Sequence, residues 1–254
     1  MLKLIRCEFQ KLKRRKFIAM SMGVAFLFPI PVVFLGIRQE QPFYMLFRMV
    51  FMFGEMLFLP CVLGILSTMI FLPEKENGVL KNILTIPISK AKIFFAKCVT
   101  LVILSIIYCL LELSISIVAS GFVGEDLQVT SFIWFSILSG IFMFAASLPI
   151  IVFVAAFGKN FTISNIVSFI YSVVCFALAY ICLGQGGETL LKTKIAVLPV
   201  VIVFKWYLGY FPLESRLLKY VPYAISTTGI MIYMVSFSLI MLLLGAIIYE
   251  KMEV

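Results

Sequence analysis

Histidine is absent from this chain of 254 residues. Its absence removes the commonest general base and the commonest metal ligand. Ser-His hydrolases and intramembrane metalloproteases are therefore poor readings. Charge is also scarce: Asp, Glu, Lys and Arg make up 13% of the chain, where soluble domains hold about 25%. Trp occurs only twice. The six cysteines (Cys7, Cys61, Cys98, Cys109, Cys175 and Cys182) form no C-x-x-C pair. Five lie in apolar runs, where Cys acts as a small hydrophobe, and no disulfide framework is read. No G-x-x-x-x-G-K-(S/T) phosphate loop occurs. The Gly-rich run at 184–187 lacks the Lys-Ser/Thr that would follow and reads as a flexible turn. The chain itself is expected to bind neither ATP nor a metal. No internal repeat or low-complexity segment is apparent.

What is abundant is apolar surface. Hydrophobic residues are 63% of the chain, with 26 Phe, against about 45–50% apolar in soluble domains. A water-soluble core of this length cannot hold that excess, so the bilayer is the natural solvent. The formal net charge is +9. In a soluble protein that would suggest nucleic acid. Here the basic residues flank apolar segments, so they read as topology signals and lipid headgroup contacts, and no nucleic-acid partner is expected.

A spanning helix needs about 20 mostly apolar residues. Six segments qualify: 17–37, 50–72, 93–120, 132–157, 163–183 and 229–249. The third and fourth are long enough to imply tilt, a kink or protrusion beyond the lipid. Pro29, Pro31, Pro60 and Pro149 lie within spans, and each should bend its helix. The first apolar run is too long for a cleavable signal peptide and lacks a clean small-residue cleavage site. It is expected to stay in the protein.

Orientation follows the Lys and Arg of the short loops. Residues 1–16 carry Lys3, Arg6, Lys11, Lys13, Arg14, Arg15 and Lys16 against Glu8 alone. The loop after the second span carries Lys75, Lys81, Lys90 and Lys92, whereas 121–130 has Glu125 and Asp126 and no basic residue. Six spans with both termini cytoplasmic satisfy these biases. Residues 184–228 should then be outside, although they hold Lys192, Lys194, Lys205, Arg216 and Lys219. Within them, 195–211 is mostly apolar but contains Pro199 and Lys205. It reads as a re-entrant or interfacial segment or as a seventh span. The first is favoured, because the segment is short, Pro and Lys interrupt it, and a seventh span would move the C-terminus outside.

Leu2, Ile5, Phe9 and Leu12 recur at helical spacing near the N-terminus. That pattern describes an amphipathic helix in the headgroup plane; a solvated basic tail that only sets topology is the alternative. The expected fold is thus all-α and integral to the membrane. It is a single transmembrane domain of six helices, with an interfacial helix over 1–16 and an outer re-entrant or interfacial segment at 184–228.

Between the second and third spans lies one long polar interval. It contains Glu76-x-Gly78, then Leu80-Lys81-x-Ile83-Leu84-Thr85, then Pro87-Ile88-Ser89-Lys90, then Lys92 and Lys97. Reversing the chain needs only about two to six residues, so this loop is expected to be read by something else. Val79, Leu80, Ile83 and Leu84 have the spacing of one apolar helical face. Glu74 and Glu76 precede it, where a helix dipole favours negative charge, and Pro87 should end it. An interfacial helix that merely covers lipid is the plainer reading.

These residues closely resemble the cytoplasmic loop of ABC-2 type permeases, the membrane subunits of one class of ATP-driven exporter. The resemblance implies a coupling loop over 74–92 that docks on a separate ATPase through Glu74, Glu76, Gly78, Val79, Leu80, Ile83, Leu84 and Pro87. It implies two ABC ATPase subunits that bind ATP and Mg, a second permease, identical or homologous, and a bacterial plasma membrane. Chains of this size within the family resemble permeases that export, or give immunity to, antimicrobial and other amphipathic peptides, including lantibiotic and bacitracin types.

Glu55 and Glu112 fall within the second and third spans. A charge at membrane depth costs at least about 2.5–3.5 kcal/mol on insertion scales. The two are therefore expected to line a translocation path or a permease–permease contact and to attract cationic cargo. Hydration near the outer headgroups is the alternative. Rival functions are an ion-coupled carrier without an ATPase, a membrane-embedded enzyme, and a structural or sensory membrane protein.

Overall fold

The computed structural model describes residues 2–13, 16–39, 42–76, 89–123, 129–158, 160–184, 187–211 and 215–251. These are 94% helical and contain no strand. Helices α1 (Leu2–Lys13), α2 (Lys16–Leu27) and α3 (Pro29–Arg38) come first. Next are α4 (Phe43–Val50), a π-helical segment (Phe51–Phe58) and α5 (Leu59–Glu76). The long helices α6 (Lys90–Val123), α7 (Val129–Phe157) and α8 (Phe161–Leu183) follow. Beyond them lie α9 (Gly187–Lys192), a 3-10 turn (Lys194–Val197), α10 (Pro199–Tyr210), a 3-10 stretch (Ser215–Tyr223) and α11 (Thr227–Lys251).

Six stretches are long and apolar enough to cross a bilayer: Lys16–Leu35, Phe43–Pro73, Lys90–Val118, Val129–Phe157, Phe161–Leu183 and Thr227–Lys251. Lipid offers no partner to a backbone amide or carbonyl, and a helix satisfies both along its own length. The protein is an all-α integral membrane protein.

The second span begins seven residues earlier than the apolar run suggests. Arg48 interrupts that run in the sequence, but Phe43, Leu46, Phe47 and Val50 are buried together along α4, so packing carries the helix through the arginine. The same helix continues past Pro73 to Glu76. Pro29 opens α3 after a single turn residue, Phe28. Pro60 sits in the first turn of α5, directly after the π-helical segment. Pro149 lies within α7.

Burial separates a centre from a rim. The second and fourth spans are 67% and 72% buried over their most apolar windows, against 22% for the first and sixth. Small residues let the central helices approach closely, as they do generally in membranes. Helix α8 buries Ser164, Ser168, Ser172, Cys175, Ala179 and Cys182, and its Ser168 occupies the space a side chain at Gly64 of α5 would need. A Cβ on Gly140 of α7 would lie 2.8 Å from the Ile106 Cα of α6. At the same crossing the Ser105 hydroxyl donates to the Gly140 carbonyl at 2.8 Å.

Aromatic contacts fix which helix ends meet. Phe71, Phe94 and Tyr249 lie with ring centroids 5.8 Å apart in each pair, gathering the ends of α5 and α11 and the start of α6. At the opposite end Phe132 stacks on Phe211 at 4.5 Å and meets Phe43 at 5.6 Å. Between those rings and the bundle centre sits α10. Its residues Val200–Phe204 and Trp206–Leu208 are buried. Trp206 stacks on Phe135 at 4.7 Å and Tyr207 on Phe51 at 4.4 Å. The Trp206 indole donates to the Thr227 hydroxyl at 3.1 Å, and the Tyr210 hydroxyl to the Ser131 carbonyl at 3.2 Å. Twelve residues rise about 18 Å, too short to cross a core about 30 Å thick. The segment is thus a short helix packed among the spans, not a seventh span. Burial of its Lys205 pulls that ammonium below its ordinary value, and Lys205 Nζ lies 3.5 Å from the Leu191 carbonyl.

Candidate functional site

The π-helical segment is where three spans bring polar side chains together. Its wider turn is marked by the Leu59 amide donating back to the Gly54 carbonyl, five residues earlier. Single π turns inside α-helices recur at functional sites. Here neighbouring spans brace the segment: the Ser172 hydroxyl of α8 donates to the Leu57 carbonyl, and the Ser139 hydroxyl of α7 donates to the Glu55 carboxylate. The Cys109 thiol of α6 is a further polar neighbour of Glu55.

Glu112 sits one turn after Tyr108 on α6 and comes in beside Glu55. Its carboxyl occupies the space above Gly54 where any side chain would have to go. Glu55 is 3% exposed and Glu112 1%. The Tyr108 hydroxyl is the polar neighbour of Glu112. Neither that hydroxyl nor the two Glu112 oxygens completes a hydrogen bond of regular geometry. Among the described residues no ion pair reaches either carboxyl, and no group of three His, Cys, Asp or Glu suits a metal ion. Both acids that the sequence marks as exceptional thus meet inside the bundle of one chain.

The second place of interest is the end where α5 stops and α6 begins. Glu74 and Glu76 fall in the last turn of α5. Gly78, Val79, Leu80, Ile83, Leu84 and Pro87 lie outside the described residues. The helices on either side are tied together by Lys97. Its side chain is fully buried, its ammonium donates to the Ile70 carbonyl of α5 at 3.0 Å, and it lies 4.8 Å from the centre of the Phe71 ring. A charge-assisted hydrogen bond combined with a cation–π contact makes a strong brace at a buried site.

A family model described as ABC-2 family transporter protein matches residues 4–175. The chain belongs to this family. No curated protein matches it. The matched region runs from α1 into α8 and contains both the acidic pair and the α5–α6 junction. As an ABC-2 permease, the chain is a multi-pass membrane component of an ABC transporter, a class that works with ABC ATPase subunits.

Sequence reading singled out Glu55, Glu112 and the motif lysine at 97. It missed Ser139, Cys109, Tyr108 and Gly54, because an isolated Ser, Cys or Gly in an apolar run carries no signal of its own. The one available hint was that a Gly stands directly before the buried Glu55, at the point where a neighbouring backbone or side chain can approach.

Proposed function

We propose that this permease exports amphipathic peptides, antimicrobial peptides among them, using ATP hydrolysed by two separate ATPase subunits that carry the ATP and Mg. The observation that carries the reading is the pair of overlong helices on either side of the polar interval. Helix α6 has 34 residues, about 51 Å of helix, and Phe43 to Glu76 runs through α4, the π-helical segment and α5. Both exceed a hydrocarbon core of about 30 Å, and Lys97 braces them where they meet.

In this reading the termini are cytoplasmic and residues 74–92 dock on the ATPase. Glu74, Glu76 and Gly78 lead into the docking helix, Val79, Leu80, Ile83 and Leu84 form its apolar face, and Pro87 closes it. Closure of the ATPases on ATP pushes this loop, and the braced helices tilt as one lever. A second permease copy or homologue completes the pathway, in a bacterial plasma membrane. Glu55 and Glu112 attract cationic cargo once the third span parts from the second.

Co-purification tests the coupling. An ABC ATPase should come down with the tagged wild-type chain. The pair L80D and L84D should abolish that recovery while the permease still elutes as a folded species. Loss of peptide protection in cells carrying the same pair tests the cargo. An ion-coupled carrier is the second reading, favoured by the buried carboxyl pair. Transport by the purified chain alone, without ATP, would establish it instead.

A further inference from the structure

The elbow between α1 and α2 forms an open groove of about 280 Å3 against the flank of α6. Three features describe it. Its floor is apolar: Phe9 and Leu12 from α1, Ile18 from α2 and Leu104 from α6. Leu12 is 4% exposed, so the helix is anchored at that point. Its rim is basic: Arg6 and Lys13 are both exposed and stand on the same face of α1 as Phe9, at i, i+3 and i+7. The only acid of α1, Glu8, is already engaged with Lys11 at 2.8 Å. Among the described residues Arg6 and Lys13 have no acidic partner.

Leu104 is fourteen residues into the third span, about 21 Å along its helix, within the candidate membrane-crossing stretch Lys90–Val118. The floor is therefore part of a membrane-crossing wall, and the rim carries two unpaired cations about two helical turns apart. A small polar ligand would leave the floor unsatisfied, and a hydrocarbon would leave the cations unsatisfied. The complementary ligand is an amphiphile with an anionic head and a fatty chain.

We propose that this elbow is a binding site for one acidic membrane phospholipid, with its phosphate between Arg6 and Lys13 and its acyl chain along Leu12, Ile18 and Leu104. The site is independent of what the permease carries. It ties the lipid to the joint through which α1 meets the third span.

Native mass spectrometry of the purified full chain in detergent tests this with three probes: phosphatidylglycerol, phosphatidylcholine and inorganic phosphate. One phosphatidylglycerol should be retained in preference to phosphatidylcholine. Each basic residue near an acidic headgroup contributes about a five-fold change in affinity. R6Q and K13Q should each weaken retention by about that factor, whereas K251Q, an equal loss of charge at the far end of the chain, should leave it unchanged. L104W, which fills the floor without altering charge, should weaken phosphatidylglycerol retention. Both rim residues are exposed, so their Gln variants test binding and not folding. Equal retention of phosphatidylcholine overturns the proposal. So does a K251Q effect matching R6Q, which would mean diffuse attraction, or phosphate binding as tightly as lipid, which would mean an anion site alone.

Discussion

The Glu112 carboxyl of the third span rests over Gly54, the residue that precedes Glu55 in the second span. Two acids from different helices are thereby held side by side with no cation between them among the described residues. Their surroundings differ. Glu55 accepts a hydrogen bond from Ser139, whereas the Glu112 oxygens complete none of regular geometry. Like charges this close repel. E112Q removes the repulsion and costs no hydrogen bond, so thermal unfolding in detergent should show an unchanged or higher midpoint. E55Q weakens the Ser139 contact and should lower stability by about 1 kcal/mol. A midpoint that falls further for E112Q than for E55Q would contradict the asymmetry.

Glycine substitutions should separate close helix crossings from open positions. Gly140 has the Ile106 backbone in the way of a Cβ. G140A should force α6 and α7 apart and cost about 1–3 kcal/mol. Gly23 has nothing within 4 Å of the added atom. G23A should be neutral or slightly stabilising, by up to about 1 kcal/mol. Parallel unfolding curves for the two variants decide it, and equal destabilisation would refute the packing described for the α6–α7 crossing.

Lys97 joins α5 to α6 through a buried hydrogen bond to a charged donor. Such bonds contribute about 1.5–3 kcal/mol. K97M keeps most of the side-chain volume and loses the ammonium. It should lower the unfolding midpoint and allow faster hydrogen exchange at the ends of α5 and α6. K97R restores a cation that can reach Ile70 and Phe71, and should recover part of the loss. Identical exchange in K97M and wild type would show that the two arms hold together without the brace.

Trp206 lies 1% exposed in α10, stacked on Phe135 and bonded to Thr227. W206A should cost about 3–5 kcal/mol, while W206F keeps the ring contact and should cost about 1 kcal/mol for the lost hydrogen bond. The two values, from chemical denaturation of the purified chain, report how firmly α10 is held among the spans.

The six spans were legible because an apolar run of about 20 residues has few other uses. The start of the second was not. Arg48 ends the run when residues are read in line, and only the shared buried face of Phe43, Leu46, Phe47 and Val50 shows that the helix continues. Glu55 and Glu112 stood out because charge is rare at that depth. Their meeting did not, since 57 residues separate them in the chain and Gly54 makes room for the contact. The π-helical register at Phe51–Phe58 is equally invisible in composition. It depends on an extra residue per turn, bonded by Ser139 and Ser172 from spans far along the chain. The residues of the polar interval are legible as a motif, and their geometry lies outside the described residues.

Phe51 stacks on Tyr207 and Phe135 on Trp206, and Phe135 meets Tyr207 edge to face, where α10 enters between the second and fourth spans. Such a stopper fills the space between these spans at that level. A solute travelling lengthwise through one molecule would have to unstack four rings and strip Trp206 from Thr227 before it advanced. Opening the interior at this level means drawing α10 away from the second and fourth spans.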